Sequence, residues 1–450
     1  MRETLVKTGE FRDSSLGKIP KDWDVVTVES IAADKPHAVV DGPFGSNLKT
    51  EHYREYGIPV IQSGFVTSGV FLAESYVYVD RALFQAQKRS AVEPGDIVMA
   101  KIGAQCGTSA ILPANHPVGI LAGNSLKIST NPDKCRAAYL LRILHYYYHT
   151  GQIDLIKTET AQPAISLKNL RALRIPLPLC VKEQDAITSI LDALDEAIAH
   201  TSSLITKLKQ MKAGLLHDLL TRGLDENGEL RDAIAHPEQF KDSPLGRIPK
   251  DWEVRTMEEI TTKIVDGVHK TPVYVESGIP FLTVENLTAG IGISLKNVRY
   301  VTPSAHAEFF KRADPRPGDV LVSKDGTLGI ARIVTDDLPE FSIFVSVAQL
   351  RPNEALVLPS FICTFFETGE YERQLGHRSA GTGLKHIHLE HFRAFQLAVP
   401  PIAEQHRISK VLNSHDIRIR KEEAYRDKLK FQKQGLMHDL LTGKVRVKNA

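Results

Sequence analysis

Two adjacent histidine–aspartate pairs are the residues of this chain best suited by type to catalysis. His217-Asp218 and His438-Asp439 could serve a metallophosphatase, in which neighbouring His and Asp side chains hold a metal ion. Each pair lies near the end of a predicted long helix, however, and no further histidines stand at metal-ligand spacing nearby. We therefore favour the alternative interpretation, a polar network that stabilises the helix terminus.

A Pro-Gly-Asp segment followed by a lysine occurs twice, with the lysine at Lys101 and at Lys324. The arrangement is similar to the carboxylate–lysine pair of nucleases, but Met99 and Val322 stand where a second metal-binding carboxylate would be needed. The sequence also lacks GxxxxGK[ST], a G-x-G-x-x-G that follows a strand, HExxH and the Asn/Asp-Pro-Pro-aromatic motif of amino-methyltransferases. We therefore expect no catalytic residue and no bound metal.

The bulk properties of the chain are those of a soluble protein with two domains. Its 450 residues exceed what one hydrophobic core usually organises. The first residues lack the apolar stretch of a secretory signal, and no window approaches the roughly 20 apolar residues that span a bilayer. The four cysteines have no CxxC spacing, so the sequence predicts neither a zinc site nor disulfides and favours a cytoplasmic location without membrane contact.

The strongest feature of the sequence is an internal repeat, in which the same motifs occur twice in the same order. Residues 13–31 read DSSLGKIPKDWDVVTVESI, and residues 242–260 read DSPLGRIPKDWEVRTMEEI, 229 positions later. Such an internal repeat predicts two lobes related by pseudo-two-fold symmetry, which suits a partner that is itself two-fold or bipartite. Two further segments return in register: residues 88–103 as 311–326, and residues 183–221 as 404–442.

The only two tryptophans of the chain occupy equivalent positions in the two copies. Trp23 follows Pro20, and Trp252 follows Pro249. Because the prolines bar a helix at these points, each tryptophan is predicted to open a strand and to anchor the core of its lobe.

The regions of about 150 residues that follow each tryptophan carry short β-type runs between glycines and prolines. Their sequences diverge except at a few places, as two lobes would if they did one job on two different targets. The dipeptides Asp41-Gly42 and Asp266-Gly267 are among the places where the two copies are identical. We favour a turn as the interpretation of both.

Basic residues recur in register within these divergent regions. Two interpretations stand for each of them: a solvated face or structural ion pair, or contact with a nucleic-acid phosphate. Recurrence in both lobes favours phosphate contact, which makes them the candidate DNA-binding residues. They are Lys88, Arg89 and Lys101 in the first copy, and Lys311, Arg312 and Lys324 in the second.

A heptad pattern predicts a long helix at the end of each copy. A helix of about 38 residues is about 57 Å long, so the two helices are expected to form an antiparallel intramolecular coiled coil between the lobes. His415, Glu422, Arg426 and Lys433 interrupt the second pattern, so that helix is expected to rely more on a partner subunit. The apolar positions are Ile187, Leu191, Leu194, Ile198, Leu208, Leu215 and Leu219, and then Ile408, Leu412, Ile419, Leu429, Leu436 and Leu440.

Three motifs together carry a resemblance to a known family. They are the lead-in L-G-[KR]-I-P-x-D-W, the P-G-D segment, and the helix E-Q-x-x-I…L…D…LK…GLLxxLLT that a proline precedes. The chain resembles, over essentially its whole length and twice, the specificity subunits of type I restriction-modification systems. The resemblance implies two target-recognition domains that each read one half of a bipartite double-stranded DNA target, and two helices that set the half-site spacing.

The resemblance also implies the partners. Two modification (methyltransferase) subunits would dock on the helix regions and methylate adenine at N6 with S-adenosylmethionine, and restriction subunits would add ATP- and Mg²⁺-dependent translocation and cleavage. The chain itself is expected to bind none of these cofactors. Its net charge of +2 is low for a protein that binds DNA unaided, and fits a complex in which partners supply much of the DNA-clasping surface.

The expected fold class is α+β, with two mixed α/β target-recognition domains joined by the two helices. The alternatives that stay open are a bipartite protein scaffold and a self-contained DNA methyltransferase or nuclease. The predicted domains are residues 1–180 (target-recognition domain 1), 181–223 (spacer helix 1), 224–241 (linker), 242–403 (target-recognition domain 2) and 404–446 (spacer helix 2).

Overall fold

The structure is a computed structural model that describes residues 4–43, 45, 47–158, 161–378 and 386–448. The strands of the first copy are β1 (Thr4–Lys7), β2 (Phe11–Ser14), β3 (Gly17–Pro20), β4 (Trp23–Thr27), β5 (Val39–Asp41), β6 (Ile58–Ile61), β7 (Tyr78–Val79), β8 (Ala91–Val92), β9 (Ile97–Ala100), β10 (Ser109–Ile111), β11 (Gly119–Leu121), β12 (Ser125–Ile128) and β13 (Arg174–Pro178). Its α-helices are α1 (Arg81–Ala86), α2 (Ala137–His149), α3 (Leu167–Ala172) and α4 (Val181–Thr221).

The second copy follows in the same way. Its strands are β14 (Phe240–Ser243), β15 (Gly246–Pro249), β16 (Glu253–Thr256), β17 (Thr261–Asp266), β18 (Ile279–Leu282), β19 (Arg299–Val301), β20 (Val320–Ser323), β21 (Ala331–Ile333), β22 (Ser342–Ile343), β23 (Val347–Pro352) and β24 (Gln396–Val399), with β25 (Val445–Lys448) at the end of the chain. Its α-helices are α5 (Val284–Thr288), α6 (Pro303–Phe309), α7 (Pro359–Phe365), α8 (Gly369–Arg378), α9 (Leu389–Ala394) and α10 (Ile402–Leu441).

The chain divides into two compact units. Unit 1 comprises Met1–Ser202 and Ala424–Ala450, and unit 2 comprises Ser203–Glu423. The division falls inside α4 and α10, so each unit holds one lobe together with parts of both long helices. β1 pairs with β25 in antiparallel fashion, which places the two ends of the described chain in unit 1.

The sheets of the two units repeat one topology. The antiparallel order β10-β9-β12-β5 in unit 1 returns as β21-β20-β23-β17 in unit 2. β6 lies parallel to β11 in unit 1, as β18 lies parallel to β22 in unit 2. The pairs β4–β13 and β16–β24 and the hairpins β2–β3 and β14–β15 complete the repeat. The predicted α+β class with an internal repeat is confirmed.

The two long helices overlap the predicted ranges, but α4 ends at Thr221 and not at residue 223, and α10 begins at Ile402 and not at residue 404. Pro401 stands immediately before Ile402, the first residue of α10. The predicted end of that helix at residue 446 is wrong, because α10 ends at Leu441 and Gly443 takes a φ of +73°. A left-handed residue just past the last turn ends an α-helix, and β25 then begins.

Every apolar heptad residue named above is buried or half-buried in its unit. Within unit 2 the two helices run antiparallel, since Lys209 lies 2.6 Å from Glu423 and Lys212 lies 2.8 Å from Asp416. Within unit 1 Lys433, one of the polar residues of the second pattern, donates to Asp195 at 2.5 Å. The positive charge of Lys433 is therefore paired with a carboxylate of the same chain.

The two tryptophans lie in the cores of their units. Trp23 opens β4, and Trp252 immediately precedes β16; both are almost fully buried. Trp23 packs in one apolar cluster with Leu191 and Leu440, and Trp252 packs in another with Leu412. Large aromatic side chains contribute much of the apolar surface that a core removes from water.

Candidate functional site

An ion cluster joins the recurring basic residues of unit 1 to Asp41, the last residue of β5. Lys101, which follows β9, donates to Asp41 Oδ2 at 2.7 Å, and Arg89 donates to Asp41 Oδ1 at 3.3 Å. Ser90 Oγ donates to the Asp41 backbone carbonyl at 3.0 Å. The sequence favoured a turn at Asp41-Gly42, but Asp41 is the last residue of a strand, and its carboxylate forms ion pairs with Arg89 and Lys101.

Unit 2 repeats the cluster around Asp266, the last residue of β17. Lys324 donates to Asp266 Oδ2 at 2.6 Å, and Arg312 donates to Oδ1 at 2.5 Å. Burial alone would raise the pKa of Asp266, but the hydrogen bonds from Arg312, Lys324 and His269 lower it to about 2. The carboxylate therefore stays ionised throughout the physiological pH range, and the turn interpretation is wrong here too.

The glycine after each aspartate allows a close approach between backbones. A Cβ on Gly42 would lie 1.9 Å from the Ala122 carbonyl oxygen, and a Cβ on Gly267 would lie 2.0 Å from that of Ile343. No side chain fits at such distances, so the Asp-Gly dipeptide combines a charged anchor with a tight crossing.

The candidate DNA-binding residues fall into two groups. Lys101 and Lys324 are held by the aspartates, with side chains 17% and 3% exposed, and Arg89 and Arg312 are the more exposed members of the same clusters. Lys88 and Lys311 lie beside these arginines but outside the clusters; both are exposed, and no carboxylate of the described residues pairs with them. Phosphate contact by all six residues stays a prediction.

The aspartate of each Pro-Gly-Asp segment is structural. Asp319 accepts hydrogen bonds from Gln349 at 2.7 Å and from Arg351 at 2.9 Å. Asp96 accepts from the Ser129 hydroxyl at 2.5 Å, and its Oδ2 accepts from the Glu93 N–H at 2.8 Å. These bonds give the segment a structural role.

The His-Asp pairs sit at helix ends. Thr221 Oγ1 donates to the His217 carbonyl at 2.8 Å, and Thr442 Oγ1 donates to the His438 carbonyl at 2.5 Å. In the part of the chain that the structure describes, no group of three or more His, Cys, Asp or Glu residues could hold a metal ion.

A buried polar triad, which the sequence pattern did not reveal, fixes the start of each long helix. Trp252 Nε1 donates to Glu404 Oε2 at 3.1 Å, and Arg231 donates to Glu404 Oε1 at 2.6 Å. The predicted linker, residues 224–241, therefore anchors the core of unit 2 through Arg231.

Unit 1 carries the equivalent triad. Trp23 Nε1 donates to Glu183 Oε2 at 3.4 Å, and Arg446 Nη2 donates to the same oxygen at 2.7 Å. Hydrogen bonds from Arg446 to Glu183 and Asp22 raise the pKa of the guanidinium further above its ordinary value. In both units, then, the arginine lies beyond the end of the helix that belongs to the other sequence copy.

The glutamine that follows each of these glutamates pins the helix start to a neighbouring helix. Gln184 Oε1 accepts from the Arg136 N–H at 2.8 Å, and Gln405 Oε1 accepts from the Leu358 N–H at 2.9 Å. The Glu-Gln dipeptide recurs in register in the sequence, which is the signal that could have predicted a paired structural role.

Each unit is thus a mixed α/β domain that ends in part of a long helix pair, with the same charged anchors at the same places. The profile of the family described as type I restriction modification DNA specificity domain matches residues 20–210 and 249–430. The chain belongs to this family and carries two of its domains. It is a non-catalytic specificity subunit with two target-recognition domains.

Similar proteins support this assignment. A chain of Methanocaldococcus jannaschii provisionally assigned as the type I restriction enzyme MjaX specificity subunit is 26% identical over 450 residues, with 98% of each chain covered. The type I system S subunit from M. genitalium has the same fold, with a TM-score of 0.52, 17% identity, and coverage of 93% of this chain and 96% of that one. A chain from a structure on complex assembly and conformational transition of the type I system gives a TM-score of 0.58, 18% identity, and coverage of 95% and 99%.

Among the described residues, no helix combines the length and the apolar character that crossing a bilayer requires.

Proposed function

We propose that each unit reads one half of a bipartite double-stranded DNA target. The proposal rests on one observation: the two units share the same sheets, which form a common frame, but carry different elements between equivalent strands. Between β6 and β9 unit 1 places β7, α1 and β8, whereas between the equivalent strands β18 and β20 unit 2 places α5, β19 and α6. Charged clusters anchor the frame at equivalent places in both units, so two different loop sets are presented from equivalent supports. Different loops on one frame would read different bases.

The same clusters suggest a division of labour among the basic residues. Lys101 and Lys324 would have to break a short ion pair to reach a phosphate, so we assign them to fixing Asp41 and Asp266. Arg89 and Arg312 are fixed by those aspartates and add partly exposed charge. Lys88 and Lys311, exposed beside them, are then positioned to contact phosphate groups, which set the register of a protein on DNA.

The long helices are the proposed ruler and docking region. Their length would set the unread spacer between half-sites, and two modification subunits would dock on them, with restriction subunits added to the same complex. S-adenosylmethionine, ATP and Mg²⁺ would be bound by those partners and not by this chain. Assembly would take place in the cytoplasm, where the DNA lies.

The test is a map of N6-methylated adenines in the source strain and in a strain that lacks this chain. We expect one bipartite motif to lose methylation completely. A second strain, in which residues 242–403 come from a relative, should change one half of the motif and keep the other. An unchanged set of methylated motifs in an otherwise active system, or a change in both halves, would contradict the proposal.

A further inference from the structure

The part of α10 that lies in unit 2 exposes a strip of cations. At about 100° per residue, three of them fall within an arc of about 80° on the helix surface, and Arg420 lies beside that arc. No carboxylate of the described residues forms an ion pair with any of them. The members of this basic strip are Lys410, Arg418, Arg420 and Lys421, and all four are exposed.

The acidic residues of the same helix segment do not neutralise the basic strip. Between residues 402 and 421 no Asp or Glu side chain is exposed. Asp416 lies 2.8 Å from Lys212, and Glu423 lies 2.6 Å from Lys209, so both pair with α4. Glu422 occupies a heptad position and is half-buried. The exposed surface of this segment is therefore positively charged.

The first long helix lacks the strip. The repeat of residues 183–221 as 404–442 gives each cation an equivalent in α4, and none of these equivalents has a fixed positive charge. Because α4 forms the same kind of helix without them, neither the helix nor its pairing requires the four cations. The equivalent residues are Ser189, Ala197, Ala199 and His200, with an exposed glutamate, Glu196, in the place of Ile417.

The composition of the strip suits phosphate groups better than a protein surface. Between residues 402 and 421, Ile417 is the only large apolar side chain that is exposed. Protein interfaces are built around apolar and aromatic anchors and are depleted in lysine, whereas protein–DNA interfaces are strongly positive. Charge complementarity therefore favours DNA as the occupant.

We propose that the basic strip contacts phosphate groups of the DNA between the two half-sites. The proposal rests on the proposed function, in which each unit holds one half-site. α10 continues from unit 2 into unit 1 as one helix, so the DNA that joins the half-sites has to cover the interval that this helix crosses. From Lys410 to Lys421 the helix rises about 17 Å, or about five base pairs at 3.4 Å each. Phosphate contacts carry no sequence information, so the spacer would be held without being read.

The first test measures DNA binding by the complex assembled with its modification subunits, on a duplex that contains the methylated motif. Lys410→Gln, Arg418→Gln and Lys421→Gln are combined in one chain, because glutamine removes the charge and keeps a good helix propensity. The loss of three phosphate contacts should lower the slope of log affinity against log salt concentration by about 2.7, and affinity at low salt by about tenfold or more. Fluorescence anisotropy measures both, and the methylated motif should not change.

The matched control exchanges the same residues without removing charge, as Lys410→Arg, Arg418→Lys and Lys421→Arg in one chain. This variant should keep the wild-type slope. Both triple variants should also keep the wild-type midpoint of urea denaturation, because the exchanged side chains are exposed. A wild-type slope in the glutamine variant would overturn the proposal.

Uncharged methylphosphonates in the spacer of the duplex decide which part of the DNA the strip contacts. They should weaken binding of the wild-type complex, and they should weaken binding of the glutamine variant far less, because its contacts are already lost. Equal losses in the two complexes would show that the strip does not contact the spacer.

Titration of the modification subunit into the chain tests the other occupant. The glutamine variant should bind this subunit as the wild type does, and assembly weakened by about tenfold or more would assign the strip to a protein interface and overturn the proposal. If the wild-type complex does not distinguish the motif from unrelated DNA, the proposed function fails. If it does, and the glutamine variant binds DNA equally well, only the assignment of the basic strip fails.

Discussion

Trp252 donates its indole N–H to Glu404, 3.1 Å away and 152 residues later in the chain. The same carboxylate accepts two hydrogen bonds from Arg231. Glu404, in α10, therefore connects that helix to the residue before β16 and to the segment between the two repeats. Both charged side chains are nearly buried, which makes the triad costly to break from one side.

Glu404→Gln should strongly destabilise unit 2. The substitution leaves the guanidinium of Arg231, which is 11% exposed, without its carboxylate. We expect the free energy of unfolding to fall by about 3 kcal/mol, the usual cost of removing one partner from a buried ion pair, measured by urea denaturation. Glu258→Gln, at an exposed carboxylate 3.7 Å from Arg393, is the control and should cost less than about 0.5 kcal/mol. Equal effects of the two would argue against the triad.

Acid should weaken unit 2 through Asp266. Its pKa is lowered from 3.8 to about 2 in the folded protein, so its contribution is complete above pH 4 and is lost as the pH falls towards 2. The contribution at neutral pH is about 2 kcal/mol. Asp266→Asn should therefore flatten the stability profile between pH 4 and pH 2, as followed by urea denaturation at each pH. A profile as steep as that of the wild type would show that other carboxylates cause the loss.

Replacing Lys88 and Lys311 together with alanine should weaken DNA binding by the assembled complex without relaxing its sequence preference. Each phosphate contact contributes about 0.9 to the slope of log affinity against log salt concentration, so the slope should fall by about 2. Fluorescence anisotropy between low and physiological salt measures it. The double Lys→Arg variant keeps both charges and should retain the slope; a loss of affinity in both variants would point to a structural role.

Glycines should divide into two classes under substitution by alanine. Gly267→Ala brings a Cβ against the Ile343 carbonyl oxygen and should destabilise unit 2 by more than about 2 kcal/mol.

Gly214 and Gly435 lie inside the long helices with open space around their Cα atoms. Alanine at either position should stabilise the protein by about 0.5–1 kcal/mol. Thermal unfolding distinguishes the classes, and tolerance at Gly267 would contradict the close crossing.

Lengthening both long helices should lengthen the spacer of the DNA target. One heptad inserted in each of α4 and α10 adds about 10 Å, or about three base pairs at 3.4 Å each. The methylated motif should keep both half-sites and gain a longer gap, read by single-molecule sequencing. An active variant with the original spacer would rule out the ruler.

The sequence was sufficient for the two long helices and for the strands that the tryptophans mark. Heptad spacing with Pro401 placed the start of α10, and the tryptophans marked the strands β4 and β16. Contacts between residues far apart in the sequence could not be predicted. Asp41 contacts Lys101 because β5 and β9 lie on either side of β12, and no local sequence pattern indicates that strand order. The equivalence of Arg231 and Arg446 was hidden because the segments that lead to them differ in length.

The pairing of β1 with β25 has a consequence for biosynthesis. Unit 2 is one continuous stretch, Ser203–Glu423, and leaves the ribosome whole. Unit 1 waits for Arg446 and for the strand that pairs with Thr4–Lys7, both of which are made after unit 2. Of the two lobes, the one that translation begins first is therefore completed second, and it remains open to chaperones and proteases until unit 2 and the residues that follow it have been made.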